Sequence, residues 1–150
     1  MTAVCIDASI AVKWFLSEDD SDRARALFAD ITRRGLRPVA PAHFRSEVAN
    51  VLYRRVLTQS AGLRISDDVA FGATALLTEL TIEIIDTPDL YLDAYQIARA
   101  HELRTVYDAL YVAVARTCAC DLWTADDKLV EAVSDRLTFV HALRNWAPST

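Results

Sequence analysis

The sequence is poor in the residues that interrupt or cross-link a chain. Its 150 residues include only three glycines, four prolines and three cysteines. We find no internal repeat, low-complexity stretch or Pro/Gly-rich linker, so we expect a single domain over residues 1–150, long enough to bury a core. The apolar N-terminal stretch lacks a basic start and contains Asp7 and Lys13, which argues against a signal peptide or a membrane span.

The scarce cysteines indicate a redox compartment more than a binding site. Cys5, Cys118 and Cys120 are an odd number, which is typical of reduced thiols in a cytoplasmic protein. Cys118 and Cys120 are closer in sequence than the pair of a zinc knuckle, and no second Cys or His pair completes four ligands. We therefore interpret all three as small buried hydrophobic residues.

Basic residues are outnumbered, and the formal net charge of −5 by itself argues against nucleic-acid binding. The distribution is uneven, however. Residues 1–64 carry ten basic and seven acidic residues, a net charge of +3, and the remaining residues carry −8. This asymmetry is compatible with a basic rim around an acidic site, and equally with chance surface charge.

The hydrophobic pattern alternates between strands and helices, which predicts an α/β layered fold with a mainly parallel sheet. Short apolar segments predict strands at Val4–Asp7, Pro38–Ala40, Ile82–Ile85, Asp121–Thr124 and Leu137–Val140. Helical spacing predicts helices at Ser9–Leu16, Asp22–Arg34, Pro41–Thr58, Ser66–Leu80, Leu90–His101 and Ala109–Ala115. Ser9 is the expected N-cap of the first helix, and Pro41 the expected first-turn proline of the third.

Acidic residues stand at the ends of several predicted elements. Asp7 closes the first strand, and Asp126 follows the strand that ends at Thr124. Because ligands of parallel sheets bind beyond the carboxyl ends of the strands, both carboxylates are expected at one edge of the sheet. Asp108 opens a helix too apolar to face water, where it also suits an N-cap or a first-turn acid.

A fourth acid, Glu47, lies inside the third predicted helix. At 100° per residue it falls on the border of the buried stripe, between Phe44 and Val51. This position suits a side chain that turns inward toward a site. The alternative is a border glutamate paired with Arg45 or Arg54.

If these acids converge, they need a counter-charge. Two carboxylates about 4 Å apart repel by about 4 kcal/mol at an effective dielectric near 20. Four therefore cannot remain ionised together without a counter-charge, and otherwise some of them take up protons. Oxygen ligands select Mg²⁺ or Mn²⁺, which hold phosphate oxygens and activate water, as phosphodiester hydrolysis requires. Ser9 and Thr124 supply hydroxyl groups that either orient these carboxylates or serve as ordinary cap and strand-end residues.

The order and spacing of four segments resemble the PIN domain, and within it the VapC-type toxins of prokaryotic toxin–antitoxin pairs. These segments cover most of the chain: Ile6–Ser9, Ser46–Leu52, Tyr107–Ala115 and Thr124–Asp126. The resemblance implies a three-layer α/β/α sandwich and a Mg²⁺-dependent endoribonuclease. It also implies a small antitoxin whose tail enters the active-site groove, and commonly a homodimer.

By motif, Asp7, Asp108 and Asp126 are the acids that face the metal, and Glu47 is the fourth carboxylate. Asp127 directly follows Asp126, and the Thr-x-Asp pattern favours Asp126 as the residue that faces the metal. RNA as the substrate is implied by the resemblance alone, since four acids do not sense a 2′-hydroxyl.

Basic and aromatic side chains are candidates for RNA contacts, although each has an ordinary structural alternative. Six arginines either contact phosphates or form solvated helix faces and internal ion pairs: Arg33, Arg34, Arg37, Arg45, Arg54 and Arg55. Three aromatic residues either stack on bases or pack in the core or a dimer interface: Trp14, Phe15 and Trp123.

Other classes fit the residues less well. A haloacid-dehalogenase-type phosphatase needs a second Asp where this chain has Ser9, and a flavodoxin-like module needs a Gly-rich loop after the first strand. The histidines lie apart without a Ser or Cys partner, which argues against metal-independent RNase chemistry: His43, His101 and His141. A catalytically silent PIN-like interaction module is the remaining alternative, and retention of all four acids argues against it.

Overall fold

The computed structural model describes residues 2–148, and their strands form one parallel sheet. The five strands are β1 (Ala3–Ile6), β2 (Arg37–Pro41), β3 (Glu83–Ile85), β4 (Leu122–Thr124) and β5 (Val140–Ala142). Their order in the sheet is β3-β2-β1-β4-β5, and each neighbouring pair is parallel. Strand β1 is therefore central, and its carboxyl end lies between those of β2 and β4.

Helices connect the strands, as parallel pairing requires. The seven α-helices of the described residues are α1 (Ala8–Phe15), α2 (Ser21–Arg33), α3 (Phe44–Leu57), α4 (Asp67–Glu79), α5 (Pro88–Ala100), α6 (Val106–Thr117) and α7 (Asp127–Val133). A single 3₁₀ turn, Leu143–Asn145, follows β5. None of the helices in residues 2–148 combines the length and apolar character needed to span a bilayer.

The alternation of side chains along β1 divides the core into two layers. Ala3 and Cys5 belong to the larger cluster, which includes buried residues of α3 to α6. Val4 and Ile6 point to the opposite face, where Leu27 of α2 belongs to the same cluster. Helices thus cover both faces of the sheet, and the predicted α/β/α sandwich with a parallel sheet is confirmed.

The buried helix predicted at Ala109–Ala115 is the centre of α6, and all seven residues are buried. The helix begins earlier, at Val106, with Thr105 as its N-cap. Asp108 is therefore a first-turn acid and not the N-cap, one of the two structural roles that its position suggested. The helix packs against α5, β1 and β2, which places its N-terminal turn near the carboxyl edge of the sheet.

Two expectations about helix starts are wrong. The N-cap of α1 is Asp7, whose side chain accepts the Ser9 N–H, so Ser9 is the second residue of the helix. Pro41 does not begin α3, since it ends β2 and pairs with Ile85 of β3. Helix α3 instead starts at Phe44. Proline suits both places because a fixed φ is compatible with a first helical turn and with a strand end.

The C-terminal elements also differ from the expectation. The last strand is Val140–Ala142, later than the predicted Leu137–Val140, and the short helix α7 was not predicted. A helix of seven residues is too short to show a clear 3.6-residue period. The three cysteines are free, with Cys5 and Cys120 buried and Cys118 partly buried.

Two glycines in different backbone conformations allow a matched test of how conformation at each site affects stability. Gly35 ends the α2 segment at φ +65, whereas Gly72 lies inside α4, and a Cβ at either position meets no atom within 4 Å. We expect Gly35→Ala to destabilise by about 1 kcal/mol, because an alanine is strained at positive φ. Gly72→Ala should stabilise by about 0.5–1 kcal/mol through helix propensity. Urea unfolding of both variants measures this difference, and equal midpoints would contradict it.

Candidate active site

Asp7 is held at the carboxyl end of β1 by hydrogen bonds from two elements. Its N–H donates to the Trp123 carbonyl of β4 (3.1 Å), and its Oδ2 accepts the hydroxyls of Ser9 (2.9 Å) and Thr124. The Ser9 hydroxyl oxygen in turn accepts the N–H of Ala125 (3.0 Å). Of the two interpretations of Ser9 and Thr124, the structure supports the one in which their hydroxyls orient a carboxylate.

Asp126 lies beside this network, where it caps helix α7. Its Oδ1 accepts the N–H groups of Lys128 (2.9 Å) and Leu129 (3.2 Å). Its own N–H donates to Thr124 Oγ1 (3.0 Å), the atom that also binds Asp7. The neighbouring Asp127 is exposed and pairs with Arg144. Of the two adjacent aspartates, Asp126 is thus the one joined to Asp7 through Thr124.

Asp108 enters the site from the first turn of α6. Its Oδ2 accepts the Thr105 hydroxyl (3.1 Å), and Thr105 Oγ1 also accepts the Asp108 N–H (3.3 Å). Burial raises the pKa of the Asp108 carboxyl, and repulsion from Asp126 raises it further, against the Thr105 hydrogen bond and the charge of Arg104. Asp108 and Asp126 line one cavity of about 120 Å³.

Two basic side chains border the same cavity, and neither is among the arginines proposed from the sequence. Arg104 and Lys128 line it together with Asp108 and Asp126. Sequence position offers a signal for them in retrospect, because Arg104 precedes Asp108 by four residues and Lys128 follows Asp126 by two. The carboxylates therefore have positive charge on their rim.

Glu47 reaches the site from α3 through contacts with α6. Its Oε2 accepts the Tyr111 hydroxyl (2.8 Å), and the Nε2 atom of His43 lies 3.5 Å away without hydrogen-bond geometry. Within residues 2–148 no arginine pairs with Glu47, and Arg45 donates to the Leu80 carbonyl instead. The alternative of a border glutamate paired with an arginine is therefore not observed.

Tyr111 was not predicted as a site residue, although a signal existed. Within Ala109–Ala115 it alone carries a hydroxyl, and a fully buried tyrosine hydroxyl needs a partner. That partner is Glu47. The bond joins α3 to α6 and directs the Glu47 side chain toward Asp7 and Asp108, as their electrostatic effects on it indicate.

Electrostatic repulsion links Glu47 with each of the three aspartates, and Asp108 with Asp7 and with Asp126. Burial raises the pKa of Glu47 from an ordinary value of 4.5 to about 7, and repulsion from Asp7, Asp108 and Asp126 contributes. Burial likewise raises the pKa of Asp7, with the hydroxyl hydrogen bonds acting against it and Asp108 adding to it. The folded chain thus brings together acids that are up to 119 positions apart in sequence, from Asp7 to Asp126.

The donor set fits a hard cation held through few protein ligands. No three acidic, His or Cys side chains in residues 2–148 are close enough together to hold a metal ion jointly. Mg²⁺ in proteins keeps several waters and is commonly bound through one or two carboxylates together with substrate phosphates. All four acids offer oxygen atoms, which is the ligand type that this ion prefers.

Most of the arginines proposed from the sequence form internal contacts. Arg33 and Arg34 pair with Asp30, Arg37 with Glu83, and Arg55 with Glu18. Arg45 donates to the Leu80 carbonyl. Of the six proposed arginines, Arg54 is therefore the one without an ion pair or hydrogen bond in the described part of the chain. The structural alternative accounts for five of the six.

The three proposed aromatic residues belong to the core. Trp14 donates its indole N–H to the Ala24 carbonyl (3.1 Å) and packs on Phe28, with ring centroids 4.5 Å apart. Phe15 packs against the larger core cluster, and Trp123 stacks near His141 with ring centroids 4.8 Å apart. Core packing is therefore the role that the structure shows for all three.

Comparison with known proteins identifies the family. The PIN domain family model matches residues 4–134, so the chain belongs to the PIN-domain family. No curated protein sequence matches the chain.

Two solved structures share the fold. VapC20 of Mycobacterium tuberculosis, described as a sarcin–ricin loop cleaving toxin, is 19% identical, with a TM-score of 0.66 over 87% of this chain and 95% of that one. PAE2754 of Pyrobaculum aerophilum is 16% identical, with a TM-score of 0.65 over 95% of this chain and 90% of that one. The likeness extends over nearly the whole length of both proteins.

The raised pKa of Glu47 makes stability depend on pH. Since the folded-state pKa of about 7 exceeds the ordinary 4.5, folding favours the protonated acid. Its contribution to the free energy of unfolding is complete below about pH 4.5 and is lost as the pH rises through 7. Glu47→Gln removes this loss and keeps an acceptor for Tyr111.

We expect Glu47→Gln to match the metal-free wild type at pH 4.5 and to exceed it at pH 8 by about 1 kcal/mol. This figure is well below the full shift, because 39% of the side chain is exposed and solvent screens the charge. Chemical denaturation at both pH values measures the difference. A variant that loses stability at pH 8 would contradict the prediction.

Proposed function

We propose that the protein is a metal-dependent endoribonuclease that uses Mg²⁺, with Mn²⁺ as a substitute. The observation that carries this proposal is the electrostatic coupling of four carboxylates at the carboxyl edge of the sheet. Such a group is costly for the folded protein and is relieved by a cation. Asp7, Glu47, Asp108 and Asp126 are the proposed metal-facing and catalytic residues.

The ion, when bound, supplies an activated water and stabilises the departing oxygen of the phosphodiester. The protein's own groups position these participants. The Ser9 and Thr124 hydroxyls hold Asp7 in one orientation, and the Tyr111 hydroxyl does so for Glu47. On the cavity rim, the Arg104 and Lys128 cations are placed to attract the phosphate oxygens of the substrate.

We further propose that this nuclease is the toxin of a toxin–antitoxin pair and acts on RNA in the cytoplasm. Support comes from the PIN-domain membership and from the fold shared with VapC20, itself described as a toxin that cleaves the sarcin–ricin loop. The three free cysteines fit a reducing compartment. In this proposal an antitoxin occupies the active-site groove, and the protein forms a homodimer.

Exposed apolar side chains support the protein partners in this proposal. They lie mainly on α3, α4 and α5, and they include Tyr53, Leu57, Phe71, Leu76, Leu92 and Tyr95. Contiguous exposed apolar surface marks interaction sites in soluble proteins, and α3 and α4, which carry four of these residues, pack against each other. A catalytically silent interaction module would use the same surfaces, and the activity test below separates that module from a nuclease.

Two aspartates, one inside the site and one outside it, provide a matched test of the nuclease. Asp108→Asn removes a carboxylate of the site, so we expect RNA cleavage in the presence of Mg²⁺ to fall at least about 100-fold, the loss typical when a catalytic group is removed. Asp127→Asn breaks only an exposed ion pair with Arg144 and should keep activity within about twofold. Initial rates on single-stranded RNA measure both, and wild-type rates for Asp108→Asn would contradict the site.

Cation binding has a readout that does not depend on activity. A Mg²⁺ concentration ten times the dissociation constant stabilises the folded state by about 1.4 kcal/mol. For a chain of this size, this amounts to a rise in melting temperature of roughly 3–6 °C. Asp127→Asn should show the same rise, and Asp108→Asn a smaller one. A melting temperature that does not change across Mg²⁺ and Mn²⁺ titrations would count against the ion.

A further inference from the structure

A second cavity, of about 200 Å³, adjoins the acidic site. It opens between the carboxyl ends of β2 and β3, and its lining includes His43, Asp86, Tyr91 and Tyr107. Two of these residues connect it to the acids. His43 lies 3.5 Å from the Glu47 carboxylate, and Tyr107 directly precedes Asp108. We refer to this cavity as the aromatic pocket.

The rings of the aromatic pocket form a preorganised platform. The His43 ring contacts those of Tyr107 and Tyr111, with centroid distances of 5.2 Å and 5.0 Å. Tyr91 is fixed by a hydrogen bond from its hydroxyl to Asp86 Oδ1 (2.6 Å). Nevertheless Tyr107 and Tyr91 remain 62% and 47% exposed, so ring surface is available to a ligand.

We propose that the aromatic pocket binds a nucleobase of the RNA, adjacent to the phosphodiester that the carboxylates process. This inference rests on the proposed nuclease function and identifies a binding site for the RNA substrate. Aromatic side chains beside a phosphate-handling site are the common way to hold single-stranded nucleic acid, because every base has a face that stacks. A base in this pocket leaves its phosphate close to Glu47 and Asp108.

The polar groups of the pocket favour a base over an aliphatic side chain from a protein. The Asp86 carboxylate keeps free lone pairs after accepting the Tyr91 hydroxyl, and the edges of bases carry N–H donors that match them. Covering this carboxylate with an aliphatic group would remove its water without replacement. At the boundary with the acids, the buried Nε2 of His43 also has no hydrogen-bond partner among the described residues.

Binding can be measured without cleavage in an Asp108→Asn background. The probe is a fluorescently labelled single-stranded oligoribonucleotide in which one position at a time is made abasic. Loss of a stacked base weakens binding by roughly 5- to 150-fold. We expect Tyr107→Ala to weaken binding of the intact RNA by this factor. In the protein with Tyr107, one abasic position should reduce the affinity most, and in Tyr107→Ala that reduction should disappear.

The matched control is Tyr95→Ala, since Tyr95 is likewise a helical tyrosine and is 61% exposed but does not line this pocket. Tyr95→Ala should change neither the affinity for intact RNA nor the loss of affinity caused by the abasic position. In an otherwise wild-type chain, Tyr107→Ala should raise KM for RNA by a similar factor and change kcat much less.

The outcomes separate the two proposals. If Tyr107→Ala binds and cleaves RNA like the wild type, the nuclease stands and the base pocket is overturned. If it weakens only inhibition by an antitoxin, the pocket binds a protein and the inference is wrong. If the wild type cleaves no RNA and Asp108→Asn binds none, both the proposed function and this inference are wrong.

Discussion

Repulsion among carboxylates at the carboxyl edge of the sheet is the constraint on which the site depends, and the fold opposes it with its own hydroxyl groups. Ser9 and Thr124 donate to Asp7, Thr105 donates to Asp108, and Tyr111 donates to Glu47. These bonds favour the charged forms, but burial and mutual repulsion outweigh them, since all three pKa values remain raised. The folded chain therefore holds an electrostatic cost that a cation would relieve.

The topology explains why these residues meet. Strand β1 is central, so its carboxyl end and the Asp7 that follows it lie between β2 and β4. Asp126 follows β4, and helix α6 packs on β1 and β2 and brings Asp108 with it. The same helix carries Tyr111, whose bond to Glu47 fixes α3 to the site. The order of the strands and the packing of α6 thus place these four acidic residues at one edge of the sheet.

The sequence predicts where these acids lie in the fold, because their positions follow local rules. Asp7 and Asp126 follow strands, and Glu47 lies on the border of a helical stripe, all readable locally. What escaped prediction depends on contacts between distant residues. The Tyr111–Glu47 bond joins positions 64 apart, and the role of Pro41 was decided by pairing with β3. Asp7 and Ser9 are both good caps, and local chemistry does not choose between them.

Whether these carboxylates bind a cation can be seen in an anomalous difference map from crystals of the protein soaked in Mn²⁺. We expect a peak at the carboxyl edge of the sheet, bordered by carboxylate oxygens from at least one of Asp7, Glu47, Asp108 and Asp126. Occupied Mn²⁺ sites elsewhere on the molecule, with no peak among these four residues, would contradict this expectation.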